Sequence, residues 1–237
     1  DCVVLLHGLG RTAGSMKGIQ RRLEGKGYRV WNRSYPWRSY DIATLAETFV
    51  AEAVESCRAD GAARIHFVTH SMGGILLRQF LQQRELADQG RVVMLAPPNR
   101  GSELTDHLAG QFWYPWILGP AAMELGTGPS STPNSLEPVA ATIGVIAGTG
   151  TSPPWMGWLF DGPHDGKVSV ASARLDEMAD FLVVKRGHTT IARGDGVIEQ
   201  VVHFLANGEF RRYEPPVTLS AARPRHQQVS GGMKLFD

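Results

Sequence analysis

The chain has 237 residues, 43% hydrophobic and 20% charged, so it can bury a sizeable core and is not disordered as a whole. Its 24 Lys and Arg nearly cancel 23 Asp and Glu, leaving a formal net charge of +1 and none of the basic excess of a nucleic-acid binder. Two cysteines exclude a disulfide-rich scaffold and a four-cysteine zinc site, and no apolar run reaches the roughly 18 residues of a membrane-spanning helix.

No signal peptide is visible at Asp1; one removed beforehand would leave no trace there, so the compartment is not assigned. Residues 2–6 form a continuous apolar run that stops at His7-Gly8-Leu9-Gly10, the pattern of a buried strand entering a glycine turn. A helix is expected from Ser15 to Glu24 and a strand over residues 28–31, followed by a polar, aromatic loop. Asp41 is placed to cap a helix whose apolar face carries Ile42, Leu45, Phe49, Val50 and Val54. Residues 64–69 read as a third strand, then His70-Ser71-Met72-Gly73-Gly74 opens a helix. Strands follow at 92–96, 142–147 and 181–184, and Asp195 is placed to cap a last apolar-faced helix.

Residues 100–140 interrupt this alternation with an aromatic cluster, Phe112-Trp113-Tyr114-Pro115-Trp116, and a Gly/Pro/Ser/Thr stretch. Strands alternating with amphipathic helices imply an α/β fold, a mainly parallel sheet of about six strands with helices on both faces. The organisation expected is one domain over 1–207, a cap-like insert at about 100–140, and an extended polar tail over 208–237. Function in such sheets sits in loops after the strand C-terminal ends.

Ser71 stands between a strand and a helix. A serine hydroxyl is protonated at neutral pH and needs a base and waiting oxyanion donors before it can attack. A sharp strand-to-helix turn would raise Ser71 above the sheet and aim the Met72 N–H at the reacting carbonyl. The pattern is Thr69-x-Ser71-x-Gly73, with threonine where G-x-S-x-G has its first glycine; an ordinary N-capping serine is the plain alternative. The Leu9 N–H, flanked by glycines, is the candidate second oxyanion donor. His188, just after the sixth strand, is the candidate base. His70 beside the serine is expected to point away, His7 to brace the turn, His203 to be structural, and His107 and His164 to be solvated.

The order His7-Gly8-Leu9, Thr69-His70-Ser71-Met72-Gly73-Gly74, Asp165-Gly166, His188 resembles the α/β-hydrolase superfamily, and within it bacterial serine lipases and esterases. The similarity covers about residues 2–206, and Ala96–Ser102 and Asp165–Val170 resemble the post-nucleophile loop and the acid-bearing segment of those enzymes. The resemblance implies an acyl-enzyme on Ser71, no cofactor and no metal. A calcium held just after the histidine in many of these lipases is not carried over, because residues 189–193 hold no carboxylate. By chain order Asp161, Asp165, Asp176, Glu177 and Asp180 could all supply the acid. Asp165, 23 residues before His188, is assigned, with Asp161 as second choice and turn chemistry as the plain alternative for both.

Trp113, Trp116, Trp155 and Trp158 follow strands on the site side and are candidates for lining the substrate pocket. Arg11, Arg33, Arg38 and Arg100 either rim that mouth for an anionic group or are solvated surface residues. The leading expectation is a serine carboxylic-ester hydrolase for short- to medium-chain acyl esters or lipids. An acyltransferase using the same residues and a non-catalytic hydrolase-fold binding protein are the alternatives. Cys2 and Cys57 are expected to lie close together, at the sheet end opposite the site; two separately packed thiols are the alternative.

Overall fold

The computed structural model describes residues 1–150 and 154–212, without the side chains of 154–156. The N-terminal apolar run forms β1 (Cys2–Leu6), buried at every position because both its faces are covered. A 3-10 turn (Ala13–Met16) leads into α1 (Lys17–Glu24), so the first helix starts tighter and later than its periodicity suggests. After β2 (Arg29–Trp31), the Asp41 carboxylate accepts from the Thr44 N–H and caps α2 (Ile42–Leu45). Helical backbone continues through a π-helical stretch (Ala46–Val50) into α3 (Ala51–Ala59). Then come β3 (Ile65–His70), α4 (Met72–Gln83) and β4 (Gln89–Leu95). The segment that breaks the alternation holds α5 (Glu103–Ala109), α6 (Tyr114–Met123) and α7 (Thr132–Ser135). β5 (Ile143–Gly148), β6 (Asp180–Val184) and α8 (Asp195–Asn207) complete the order. The residue capping α8 is Gly194, not Asp195, which is its first helical residue. Of the expected tail, residues 213–237 lie outside the described residues.

The strands form one sheet of order β2-β1-β3-β4-β5-β6, every pairing parallel. Strand alternation divides the core in two. Val4, Leu6 and Phe67 face α2, α3 and α4, whereas Val3, Leu5 and Val68 face α1 and α8. From β1 the chain steps outward to β2 and then crosses back to β3, so the order reverses between β1 and β3. The crevice beyond the strand ends at such a reversal is where open α/β sheets bind ligands. Leu6 is level with Thr69, so the residues after β1 and β3 emerge side by side at that crevice.

At the opposite sheet end, Cys2 and Cys57 are joined by a disulfide, their Cα atoms 5.8 Å apart. α4 also carries Arg78, buried on an otherwise apolar face. Its guanidinium donates to the carbonyls of Asn99, Pro133 and Leu136, fixing the segment around α7 to the post-β4 loop. Burial holds its pKa below the usual arginine range. Among the described residues, no helix is long and apolar enough to cross a membrane.

Candidate active site

Ser71 sits at the turn between β3 and α4 with φ 55° and ψ −126°, a left-handed backbone that serine rarely adopts. The turn is held by the Ser71 N–H donating to the Leu95 carbonyl at 2.9 Å, and by Gly74 N–H donating to the Ser71 carbonyl at 2.9 Å. Its side chain makes no capping bond to α4, which removes the N-cap alternative. The bend is possible because of close glycines. A Cβ on Gly73 would stand 2.5 Å from the Leu6 carbonyl oxygen, and one on Gly8 would stand 2.9 Å from Ser71 Cβ. Thr69, where the family pattern has glycine, fits because Gly74 leaves room: a Cβ there would be 3.3 Å from Thr69 Oγ1.

His188 Nε2 lies 2.9 Å from Ser71 Oγ, and its Nδ1 lies 2.8 Å from Asp165 Oδ2. An ionised carboxylate only accepts, so Nδ1 carries the ring hydrogen and Nε2 is left to accept from the serine hydroxyl. The Asp165 side chain is 1% exposed. Its Oδ1 accepts from the N–H groups of Lys167 (3.0 Å) and Val168 (2.9 Å), the turn geometry that Asp165-Gly166 suggests. His188 N–H also donates to the Asp165 carbonyl at 2.9 Å, locking the two loops together. The other carboxylates stand elsewhere. Asp161 is exposed, Asp176 pairs with Arg100, Glu177 accepts from Val139 N–H, and Asp180 holds the Phe210 N–H and Arg212. The Asp180 side chain is half-buried.

Leu9 stands in the turn after β1, and Met72 is the first residue of α4, next to Ser71. Neither backbone N–H donates to another group among the described residues. His7 braces the first loop, as expected. Its Nδ1–H donates to the Gly8 carbonyl at 3.1 Å, its Nε2 accepts from Tyr35 N–H at 3.3 Å, and its ring stacks on Tyr35 at 3.9 Å. Burial lowers its pKa, which fits this neutral tautomer. The Tyr35 hydroxyl donates back to the His7 carbonyl.

His70 does more than point away. Its Nε2–H donates to the His188 carbonyl at 2.9 Å, so the residue before the serine supports the loop of the histidine. Burial, and then the nearby His188, push its pKa down to about 3. Sequence reading missed this link, because it joins residues 118 apart and leaves no local pattern. His164 is also not solvated: it is buried, stacks on Phe160 at 4.0 Å and accepts from Gly166 N–H, stiffening the Asp165 turn.

A cleft of about 140 Å³ opens at Ser71 and His188, walled by Leu9, Pro98, Leu104, Leu108, Tyr114, Leu118, Leu125 and Val168, with Lys167 at its side. Helices α5 and α6 therefore supply much of its apolar wall. The tryptophans do not. Trp116 and Trp158 are 80% and 73% exposed, and Trp113 is half-buried against Tyr114 without reaching the cleft. The reason is helical facing: Tyr114 and Leu118, four apart on α6, turn inward, which directs Trp116 outward. The Trp155 side chain lies outside the described residues. Of the arginines, Arg33 pairs with Glu52, Arg100 with Asp176, and Arg38 donates to the Trp116 carbonyl. Only Arg11 stays by the site, donating to Thr189 Oγ1 at 2.9 Å.

The fold is similar to that of a lipase of Bacillus licheniformis in its mature form, with a TM-score of 0.73, 21% identity, and coverage of 86% of this chain and 91% of that one. It is similar to a Legionella pneumophila phospholipase, with a TM-score of 0.65 and 15% identity, covering 87% of this chain and 57% of that one. A monoacylglycerol lipase of Paleococcus ferrophilus gives 0.57 at 16% identity, over 87% and 94% of the two chains. At these identities the likeness is one of fold. No curated protein matches the chain. Residues 3–215 match the family described as alpha/beta hydrolase, and with nearly the whole chain inside that match, this protein belongs to the alpha/beta hydrolase family.

Proposed function

We propose that this protein is a serine ester hydrolase that takes short- to medium-chain acyl esters through an acyl-enzyme on Ser71. The observation that carries the reading is the unbroken line from Ser71 Oγ through His188 to Asp165, at 2.9 and 2.8 Å, at the mouth of an apolar cleft. His188 takes the hydroxyl proton as Ser71 attacks the ester carbonyl. Asp165 orients the ring and stabilises the imidazolium that forms. The Leu9 and Met72 N–H groups hold the oxyanion, the second of them helped by the positive end of α4. Protonated His188 gives its proton to the departing alcohol, and water then repeats the cycle on the acyl-enzyme. In this reading residues 100–140 act as a cap on a hydrolase domain spanning 1–207.

The cleft volume of about 140 Å³ is on the order of five water volumes, well below a drug-sized pocket, which favours short acyl chains. A series of p-nitrophenyl esters tests this. Butyrate and hexanoate are expected to be turned over faster than palmitate, with Ser71→Ala abolishing turnover of all three. A rate maximum at palmitate, or strong activation by emulsions, would contradict the chain-length assignment.

A further inference from the structure

Apart from Ser71, His188, Ser102, Thr105 and Tyr114, the cleft is lined by aliphatic side chains and one charged one. Lys167 lines it together with Ser71 and His188. The backbone of Lys167 is pinned on both sides: its N–H donates to Asp165 Oδ1 and its carbonyl accepts from Ser102 Oγ at 2.7 Å. The ammonium itself has no carboxylate or hydrogen-bond partner among the described residues. A second cation, Arg11, is tethered to Thr189, the residue after His188, and it too pairs with no carboxylate among the described residues. Two cations without counter-ions thus flank the histidine.

Their place in the reaction follows from the proposed chemistry. The group that His188 protonates is the departing alkoxide, so whatever stands around His188 faces the alcohol half of the ester. We propose that Lys167 and Arg11 form a subsite for an anionic group on the alcohol portion of the substrate, a carboxylate or a phosphate. This rests on the ester-hydrolase reading and narrows it: the acyl group lies against the apolar wall of the cleft that α5 and α6 supply, and the alcohol that leaves carries negative charge. Partial desolvation, and then the like charge of Arg11, hold the Lys167 ammonium below the usual lysine range, while Asp165 acts the other way. Two cations without counter-ions beside one histidine gain from an anion between them, and that attraction is strongest at low ionic strength.

The test compares two esters with one acyl group: phenyl butyrate, and 3-carboxyphenyl butyrate with its charge on the leaving alcohol. A third, the butyrate monoester of glycerol 3-phosphate, distinguishes phosphate from carboxylate. The readout is the ratio of kcat/KM for a charged ester over the neutral one, taken on a single preparation so that incompletely folded protein cancels. Lys167→Gln and Arg11→Gln are each expected to lower this ratio about three- to fivefold, the range of one part-exposed charge pair. Lys167→Arg is expected to keep it. In the unaltered protein, salt at about 1 M, where the screening length is about 3 Å, is expected to lower the ratio as well. Hydrolysis of phenyl butyrate with a ratio indifferent to both glutamine variants and to salt would overturn this inference alone. If no ester is hydrolysed, the ester-hydrolase reading fails and the inference falls with it.

Discussion

Ser71 holds a left-handed backbone that costs a non-glycine residue on the order of 1–3 kcal/mol, and β3, α4 and the β1 loop surround it closely enough to maintain it. Such strain directs the hydroxyl toward His188 instead of the first turn of α4. Asp165→Asn replaces an acceptor-only group with one that can present an N–H to the ring, favouring the wrong tautomer. The expected result is a kcat lower by about 10⁴-fold, the magnitude known for the corresponding change in serine proteases, with an unchanged circular dichroism spectrum. Gly8→Ala places a Cβ 2.9 Å from Ser71 Cβ and shifts the loop bearing Leu9. Its kcat should fall about 10²-fold, the scale of a lost oxyanion donor, with a much smaller change in KM; an unchanged kcat would remove Leu9 from the account. Ser71, His188 and Asp165 stood out as candidates because each lies in a glycine-marked turn in a fixed chain order, Ser71 and His188 just after strands. The links of His70 to His188 and of Tyr35 to His7 did not stand out, because they join residues far apart in the chain and leave no local pattern.

At the scale of elements, the alternation of strands and helices was readable nearly throughout, since strands buried on both faces are unbroken apolar runs and the helices carry apolar faces. The segment between β4 and β5 was harder. Its aromatic cluster reads as a pocket lining, yet α6 is short, is kinked at Gly119 (φ 71°), and turns Tyr114 and Leu118 inward in place of the tryptophans. Arg78 escaped notice for a similar reason: a cation on a helix suggests solvent, and only the carbonyls of Asn99, Pro133 and Leu136 explain its burial. Arg78→Leu leaves those acceptors without their donor. Urea unfolding is expected to show a loss of about 2–4 kcal/mol. The disulfide acts elsewhere in the fold. It closes a separation of 55 residues between β1 and α3, for which chain entropy gives about 4 kcal/mol. The Cys2→Ala, Cys57→Ala double variant should lose about 2–4 kcal/mol in the same assay and keep its kcat, because the bridge lies at the sheet end away from Ser71. A large drop in kcat without loss of stability would contradict that placement.

For the molecule as a whole, buried histidines link stability to pH. Burial pushes His70 down to about 3; burial and then Arg91 push His66 down to about 4, while in the unfolded chain both titrate near 6.5. Above about 6.5 they are neutral in both states and contribute no pH dependence. As pH falls below 6.5 the unfolded chain binds protons that the fold refuses, so stability declines, and it keeps declining until about pH 4 to 3. Unfolding free energies from urea titrations should therefore be level from pH 8 to 7 and drop by a few kcal/mol between pH 6.5 and 4, with a shallower slope in His70→Asn. A flat profile down to pH 5 would mean that His70 is not buried neutral beneath the His188 loop. The same architecture underlies the proposed reaction: a sheet whose order reverses between β1 and β3 brings the Leu9 loop, Ser71 and the Asp165–His188 pair to one end, beside a cleft with a largely apolar wall. The most direct test of that account is labelling with a fluorophosphonate, followed by peptide mass spectrometry. One adduct is expected, on Ser71, formed at pH 8 and lost in His188→Ala. A protein left unlabelled, or labelled on another residue, would contradict the assignment of Ser71 as the nucleophile.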